Sequence, residues 1–310
     1  MNSKLFLAAM VLFSAGLIEA DQQSADADPQ SEPLTRVDFW NGNRSAARQV
    51  YEREVLEAVL AATEDEMGPW QIAETLDDYP GDEESRVFSG KRHDLFVTIA
   101  GNRKFRDGDM IVIAHPMTQN LLGYRIPVIR EQDADAFAAI DTEAELQALR
   151  HGIPETWSDA EIFRRNAYTV VEEGSFDDIF QRLEDGRIDY SAFGANEVLG
   201  VFENRASKQA GLVIDEHLLM FYPFPLVFYV NPDLPALASR IEKGMLDIVA
   251  SGRLDEIFNR HYGDIVDRLG LEQRSLFILE NPLVPENFSG LKPDLDNERA
   301  ILPESFSAAP

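Results

Sequence analysis

The chain opens on an uncharged apolar run, Leu5 to Ile18, preceded by Lys4 and followed after Ala20 by the polar Asp21-Gln22-Gln23. A positive start, a short apolar stretch and a small residue at the cut edge form the three-part pattern of a secretory signal peptide. The run is too short to span a bilayer, which takes roughly 20 apolar residues. Residues 1–20 are therefore predicted to be removed on export. Residues 21–33 (DQQSADADPQSEP) show no apolar periodicity and are predicted to form a flexible leader. No cysteine follows the apolar run, which excludes a lipoprotein anchor.

Beyond the leader, strand and helix patterns alternate. Thr35–Trp40, Trp70–Leu76, Leu95–Ala100, Met110–Ala114, Gly123–Arg130 and Pro225–Asn231 read as strands. Ala46–Thr63 carries Tyr51, Val55 and Val59 at helical spacing. Pro235 opens a helix with Leu237, Ile241, Met245 and Val249 on one face, and Ser251-Gly252 breaks it before a shorter helix. Three helix starts carry capping boxes, Thr142…Glu145, Ser158…Glu161 and Ser175…Asp178, with stops at Gly152 and Gly186. Strands alternating with helices predict βαβ units and largely parallel sheets, an α/β fold. Residues 286–310 carry several prolines and acids and are predicted to be a loose tail.

Charge narrows the function. With 28 Lys+Arg against 55 Asp+Glu, the net charge is −27. Nucleic-acid binding relies on cations that neutralise phosphates, so no nucleic-acid partner is expected. With no cysteine, disulfides, thiolate metal sites and thiol nucleophiles are excluded. The five histidines lack metal-site spacing, and there is no GxGxxG, P-loop or GxSxG motif, so no cofactor, metal or catalytic residue is assigned.

From Arg86 onward the order of features resembles the extracellular solute-binding proteins of family 3, the periplasmic receptors of amino-acid ABC transporters. Asp94-Leu-Phe-Val-Thr-Ile-Ala is followed by Gly101-Asn-Arg103-Lys-Phe-Arg106 and then by Ile113-Ala-His-Pro116-Met. Gly152-Ile-Pro-Glu-Thr156-Trp157-Ser158-Asp159 is similar to the opening of the family's second lobe. Glu184-Asp-Gly-Arg-Ile-Asp189 and the stretch from Phe228-Tyr-Val-Asn231 to Phe258 also match. The resemblance implies a two-lobed periplasmic-binding-protein fold of type II. It places lobe one at 34–126 plus 227–285, lobe two at 127–226, and two crossings near 124–130 and 220–228. It also implies a periplasmic monomer that captures a small ligand and delivers it to an inner-membrane ABC permease. A ligand-sensing module acting on a signalling partner, or an exported enzyme on the same scaffold, are the alternatives. The sequence departs from the family at the position of the ammonium-binding Asp, which is Phe193 here, and in the short loop Trp40-Asn-Gly-Asn43.

The expected ligand site follows from strand ends, where open α/β sheets bind ligands. Arg103 or Arg106 could clamp a carboxylate in bidentate fashion, and Arg125 would lie in or beyond the same wall of the cleft. Trp40 or Trp157 could stack on the ligand. Thr156 stands just before the helix predicted to start at Ser158, where free N–H groups favour anions, and Tyr222 lies in the return crossing. Together these predict a small, carboxylate-bearing ligand.

Overall fold

In the computed structural model, residues 34–89, 93–106, 108–288, 290–293 and 300–301 are described; the predicted signal segment 1–20 and leader 21–33 lie outside them. In chain order the strands are β1 (Thr35–Trp40), β2 (Trp70–Thr75), β3 (Leu95–Ile99), β4 (Ile111–Val112), β5 (Tyr124–Arg130), β6 (His151–Ile153) and β7 (Val170–Glu172). They continue with β8 (Tyr190–Gly194), β9 (Leu212–Ile214), β10 (Leu218–Phe221), β11 (Leu226–Val230), β12 (Ser275–Ile278) and β13 (Ala300–Ile301).

These strands form two separate sheets. The first runs β2-β1-β3-β11-β4, the second β13-β12-β10-β5-β8-β6-β7, with β9 on β5. The helix Ala46–Ala62 covers one face of the first sheet, burying Tyr51, Val55, Leu56, Val59 and Leu60 completely, as its spacing predicts. The opposite face carries Trp40, Phe96 and Tyr229 in a second apolar cluster. The architecture is the expected two-lobed α/β fold, but with mixed sheets. β1, β2 and β3 pair in parallel, as do β6, β7 and β8, whereas β5 and β11 pair antiparallel to β8 and β3. The physical reason is the crossings: a strand arriving straight from the other lobe enters without a crossover helix to reverse its direction.

The chain leaves the first sheet after β4 and enters the second at β5; it returns between β10 and β11 through Tyr222–Pro225. The two crossing segments hydrogen-bond to each other, Tyr222 N–H to the Gly123 carbonyl at 3.3 Å and Phe224 N–H to Asn120 Oδ1 at 2.7 Å. The expectation that 227–285 belongs wholly to lobe one differs from the observed pairing. β12 lies parallel to β10, with Leu276 against Leu219 and Phe277 against Met220, so 275–278 extends the second sheet. β5 occupies one edge of β10 and leaves the other open to an apolar strand. The chain then runs back to lobe one: Leu279 N–H bonds the Phe221 carbonyl, Asn281 Nδ2 donates to the Pro223 carbonyl, and Phe288 is buried beside Trp40 and Phe105. The tail expected to be loose from 286 is thus anchored at Phe288, whose aromatic ring finds an apolar surface to cover.

Local chemistry follows the sequence in most places. The Thr142…Glu145 capping box is complete, and Ser175 and Asp178 exchange reciprocal bonds. The Ser158 box is absent: its backbone is already helical, and its hydroxyl instead accepts the Arg103 N–H at 3.4 Å. Gly152 lies inside β6 rather than ending a helix. In the helix Pro235–Ala250, Leu237, Ile241 and Met245 are buried, but Val249 is exposed and Ile248 takes the inward place. The 3.6-residue period drifts off a strict four-residue spacing within a few turns.

This helix meets Ala46–Ala62 at Gly244, where a Cβ would stand 2.3 Å from the Val59 carbonyl oxygen. Gly244→Ala should force the helices apart and cost about 1–3 kcal/mol in urea unfolding; an unchanged midpoint would show that the contact can relax freely.

Candidate functional site

Between the two sheets lies a contact centred on two ion pairs. Arg103 follows β3 in a short 3-10 turn, Arg103–Phe105, which Asn102 caps by accepting the Lys104 N–H. This turn aims the Arg103 side chain at lobe two. Its Nη2 lies 2.5 Å from Glu172 Oε1, and its Nε donates to the Thr156 carbonyl at 3.1 Å. Glu172 ends β7. Its Oε1 also accepts the Thr156 N–H at 3.2 Å, and its Oε2 pairs with Arg164 at 2.7 Å. Thr156 sits at φ 72°, a left-handed conformation that turns its peptide groups toward this cluster. Burial alone would raise the Glu172 carboxyl, but hydrogen bonds and charge from Arg103 and Arg164 outweigh it and hold it below its ordinary value.

Arg106, the other candidate clamp, is largely exposed and meets Glu161 of lobe two at 3.3 Å. Trp157 is half-buried and packs on Phe176 and Phe193, at 5.3 and 6.4 Å between ring centroids. Phe193 is therefore part of an aromatic cluster inside lobe two. Trp40 is placed elsewhere than expected. It is fully buried, donates its indole N–H to the Asp77 carbonyl at 3.0 Å, stacks on Tyr79 at 5.2 Å and carries the Arg44 guanidinium 4.9 Å from its ring centre. Both the ring and its polar edge are occupied within lobe one: the alternation of β1 puts Trp40 on the face opposite Val37 and Phe39, where Tyr79 and Phe96 cover it.

Beneath the cleft, Arg125 is buried rather than lining a wall. Its Nη2 lies 2.5 Å from Asp159 Oδ1, which also accepts the Tyr222 hydroxyl at 2.7 Å. Burial pushes the Tyr222 phenol well above its ordinary value and keeps it a donor. Burial would lower the Arg125 guanidinium, but the Asp159 charge reverses this and raises it. Arg125 Nε, Asn120 Nδ2 and Thr118 Oγ1 have no hydrogen-bonding partner among the described residues, although all three side chains are buried. The crossing segments and the strand that follows thus keep polar groups in reserve.

The structure therefore brings Arg103 and Thr156 together, joins Tyr222 to the buried Arg125–Asp159 pair, and leaves Trp40 apart. Sequence reasoning missed Glu172 and Arg164, which carry no motif, and Asp159, which stood in the quoted Trp-Ser-Asp stretch. The surface carries two concavities. One of about 600 Å³ abuts the cleft at Arg106 and Glu161 beneath the returning segment 282–288; another of about 860 Å³ lies on the outer face of the helix Ala46–Ala62. Among the described residues there is no group of three metal-ligating side chains, and no helix is long and apolar enough to cross a membrane.

No protein-family model matches the sequence, and no curated protein matches it. Solved structures do match. A probable amino-acid ABC transporter extracellular-binding protein of Bacillus subtilis is 13% identical, with a TM-score of 0.55, covering 75% of this chain and 99% of that one. A histidine kinase sensor domain similar to periplasmic binding proteins is 13% identical, with a TM-score of 0.53 over 75% of this chain and 97% of that one. A periplasmic binding protein of Salmonella typhimurium with high arginine specificity is 15% identical, with a TM-score of 0.51 over 74% and 99%. At these identities the likeness is one of fold, and it agrees with the topology of the two sheets: this chain has the two-lobed fold of the periplasmic binding proteins.

Proposed function

We propose that the chain is an exported solute-binding protein, acting as a periplasmic monomer, whose lobes close on a small polar ligand carrying a carboxylate for an ABC-type uptake system. The observation that carries this reading is Arg103: a partly exposed guanidinium reaching from lobe one into lobe two, where a carboxylate already engages it. A guanidinium in a partly desolvated cleft takes a carboxylate with charge-assisted, directional bonds. That anchor matters more in a chain of net charge −27, whose long-range field repels anions. Phe193 stands where the resemblance expects an acid for a ligand ammonium, so the reading puts the recognition at the anionic end. Ligand contact with both lobes would favour the closed form. The reading assigns no catalytic step.

A thermal-shift screen of amino acids, small organic acids, polyamines and short peptides should find a stabilising carboxylate; at about 100 times its Kd the gain is about 2.7 kcal/mol. In calorimetry with that ligand, Arg103→Ala should lose about 2–4 kcal/mol of binding. Arg106→Ala, at an exposed ion pair, should lose less than about 1 kcal/mol. Parent-like binding by Arg103→Ala would overturn the assignment.

A further inference from the structure

Glu172 has a position that the proposed ligand site does not require. Its carboxylate takes the Arg103 guanidinium from the opposite lobe, accepts the Thr156 N–H, and is held from behind by Arg164. The two partners are 69 residues apart in sequence; Arg103 follows a strand of the first sheet and Glu172 ends a strand of the second, so the contact exists only when the lobes are together. Both side chains are mostly shielded from solvent, 23% and 17% exposed, which separates this pair from the exposed Arg106–Glu161 contact at 58% and 41%. A carboxylate fixed on the cleft arginine has the same chemistry as the anionic end of the proposed ligand.

We infer that Glu172 is a built-in stand-in for the ligand's carboxylate, which latches the lobes together when the cleft is empty and which a ligand must displace from Arg103. This rests on the proposed binding function and adds a specificity-determining residue to it. A ligand whose anion cannot outcompete an intramolecular carboxylate fails to bind, however well the rest of it fits. The side chain is placed to compete because β7 ends at Glu172, where its carboxylate faces the Thr156 peptide and the Arg103 turn together. Arg164 stays behind as a partner for the displaced Glu172, so displacement leaves no charge stranded.

The test needs no identified ligand. The chain has no cysteine, so spin labels can be placed on Glu242→Cys in lobe one and Gln181→Cys in lobe two, both on exposed helix positions. Pulsed electron–electron resonance then reads the interlobe distance. The otherwise unaltered protein should give a short distance without ligand, and Glu172→Ala should shift the distribution to longer values. Sodium acetate, a free carboxylate, should return Glu172→Ala toward the short distance and leave Glu172→Ala/Arg103→Ala unmoved. Sodium chloride at equal ionic strength is the control. A Glu172→Ala distribution that matches the parent, or an acetate response that survives loss of Arg103, overturns the latch. Failure of the ligand reading looks different: acetate recloses the variant through Arg103, yet no small carboxylate in the screen stabilises the unaltered protein.

Discussion

Replacing Asp159 by alanine is expected to cost about 3–5 kcal/mol of folding stability, because it leaves a buried guanidinium without its counter-ion. Arg125 is 2% exposed, and Asp159 Oδ1 lies 2.5 Å from its Nη2. The same oxygen receives the Tyr222 hydroxyl, so the substitution also orphans a buried phenol. Leu122 and Ala192 carbonyls still accept from the guanidinium, which softens the loss without supplying a negative charge. Tyr222→Phe should cost less, about 1.5–3 kcal/mol, the net worth of one hydrogen bond to a charged acceptor. Urea unfolding of Asp159→Ala, Tyr222→Phe and the apolar pair Arg125→Met/Asp159→Leu separates the contributions. The pair should recover much of the loss, since replacing both charges removes the desolvation penalty along with the attraction. A Asp159→Ala protein within about 0.5 kcal/mol of the parent, as for an ordinary surface change, would show that Arg125 finds another counter-ion.

The second large effect is at Arg240, in the helix Pro235–Ala250 of lobe one. This side chain is 3% exposed and donates to oxygens only: the hydroxyls of Thr63 and Thr35, and the carbonyls of Leu60, Met67 and Gly68. The Leu60 carbonyl lies in the last turn of the helix Ala46–Ala62 and also accepts from the Thr63 N–H and hydroxyl, whereas the Met67 and Gly68 carbonyls close the short helix Glu64–Met67 that follows. A guanidinium with its fork of donors gathers them and ties two helices to the start of β1. Burial lowers its pKa, and the charge of Glu64 opposes this. Arg240→Met should cost about 2–4 kcal/mol, because several acceptors lose a charged donor at once. Arg240→Lys should recover part of it, limited by fewer donors in a less suitable geometry. Equal midpoints for the parent and Arg240→Met would mean that solvent reaches those carbonyls.

These two nodes show where the sequence is legible and where it is not. The helix Ala46–Ala62 and the strands β1 and β11 were readable because apolar spacing and local turn residues specify them, and burial of Tyr51, Val55 and Val59 follows directly. The Thr142 capping box was readable for the same reason, since its partners lie three residues apart. The long-range contacts were not. Nothing near Arg240 announces partners at Thr35 and Thr63, and Arg125 reads as a cleft cation until β5 is seen inside the second sheet with Asp159 above it. Trp40 reads as a stacking platform because it ends a strand on the side of the exposed Arg36 and Asp38; Tyr79 and Phe96 cover that ring from within lobe one instead. Ser158 looked like a helix cap, but tertiary contact with Arg103 draws its hydroxyl away. Glu172 carried no signal, because one acid among 55 becomes distinctive only when the fold sets it opposite an arginine from the other lobe.

On the proposed function, a small ligand is held by both lobes at once, in the cleft between Arg103 and the Thr156 turn. Hydrogen–deuterium exchange with and without the ligand from the thermal-shift screen tests it most directly. Binding should slow exchange in residues 101–106 of lobe one and in residues 154–159 of lobe two together, with the same ligand dependence. Protection confined to one lobe, or found instead along the outer face of the helix Ala46–Ala62, would contradict it.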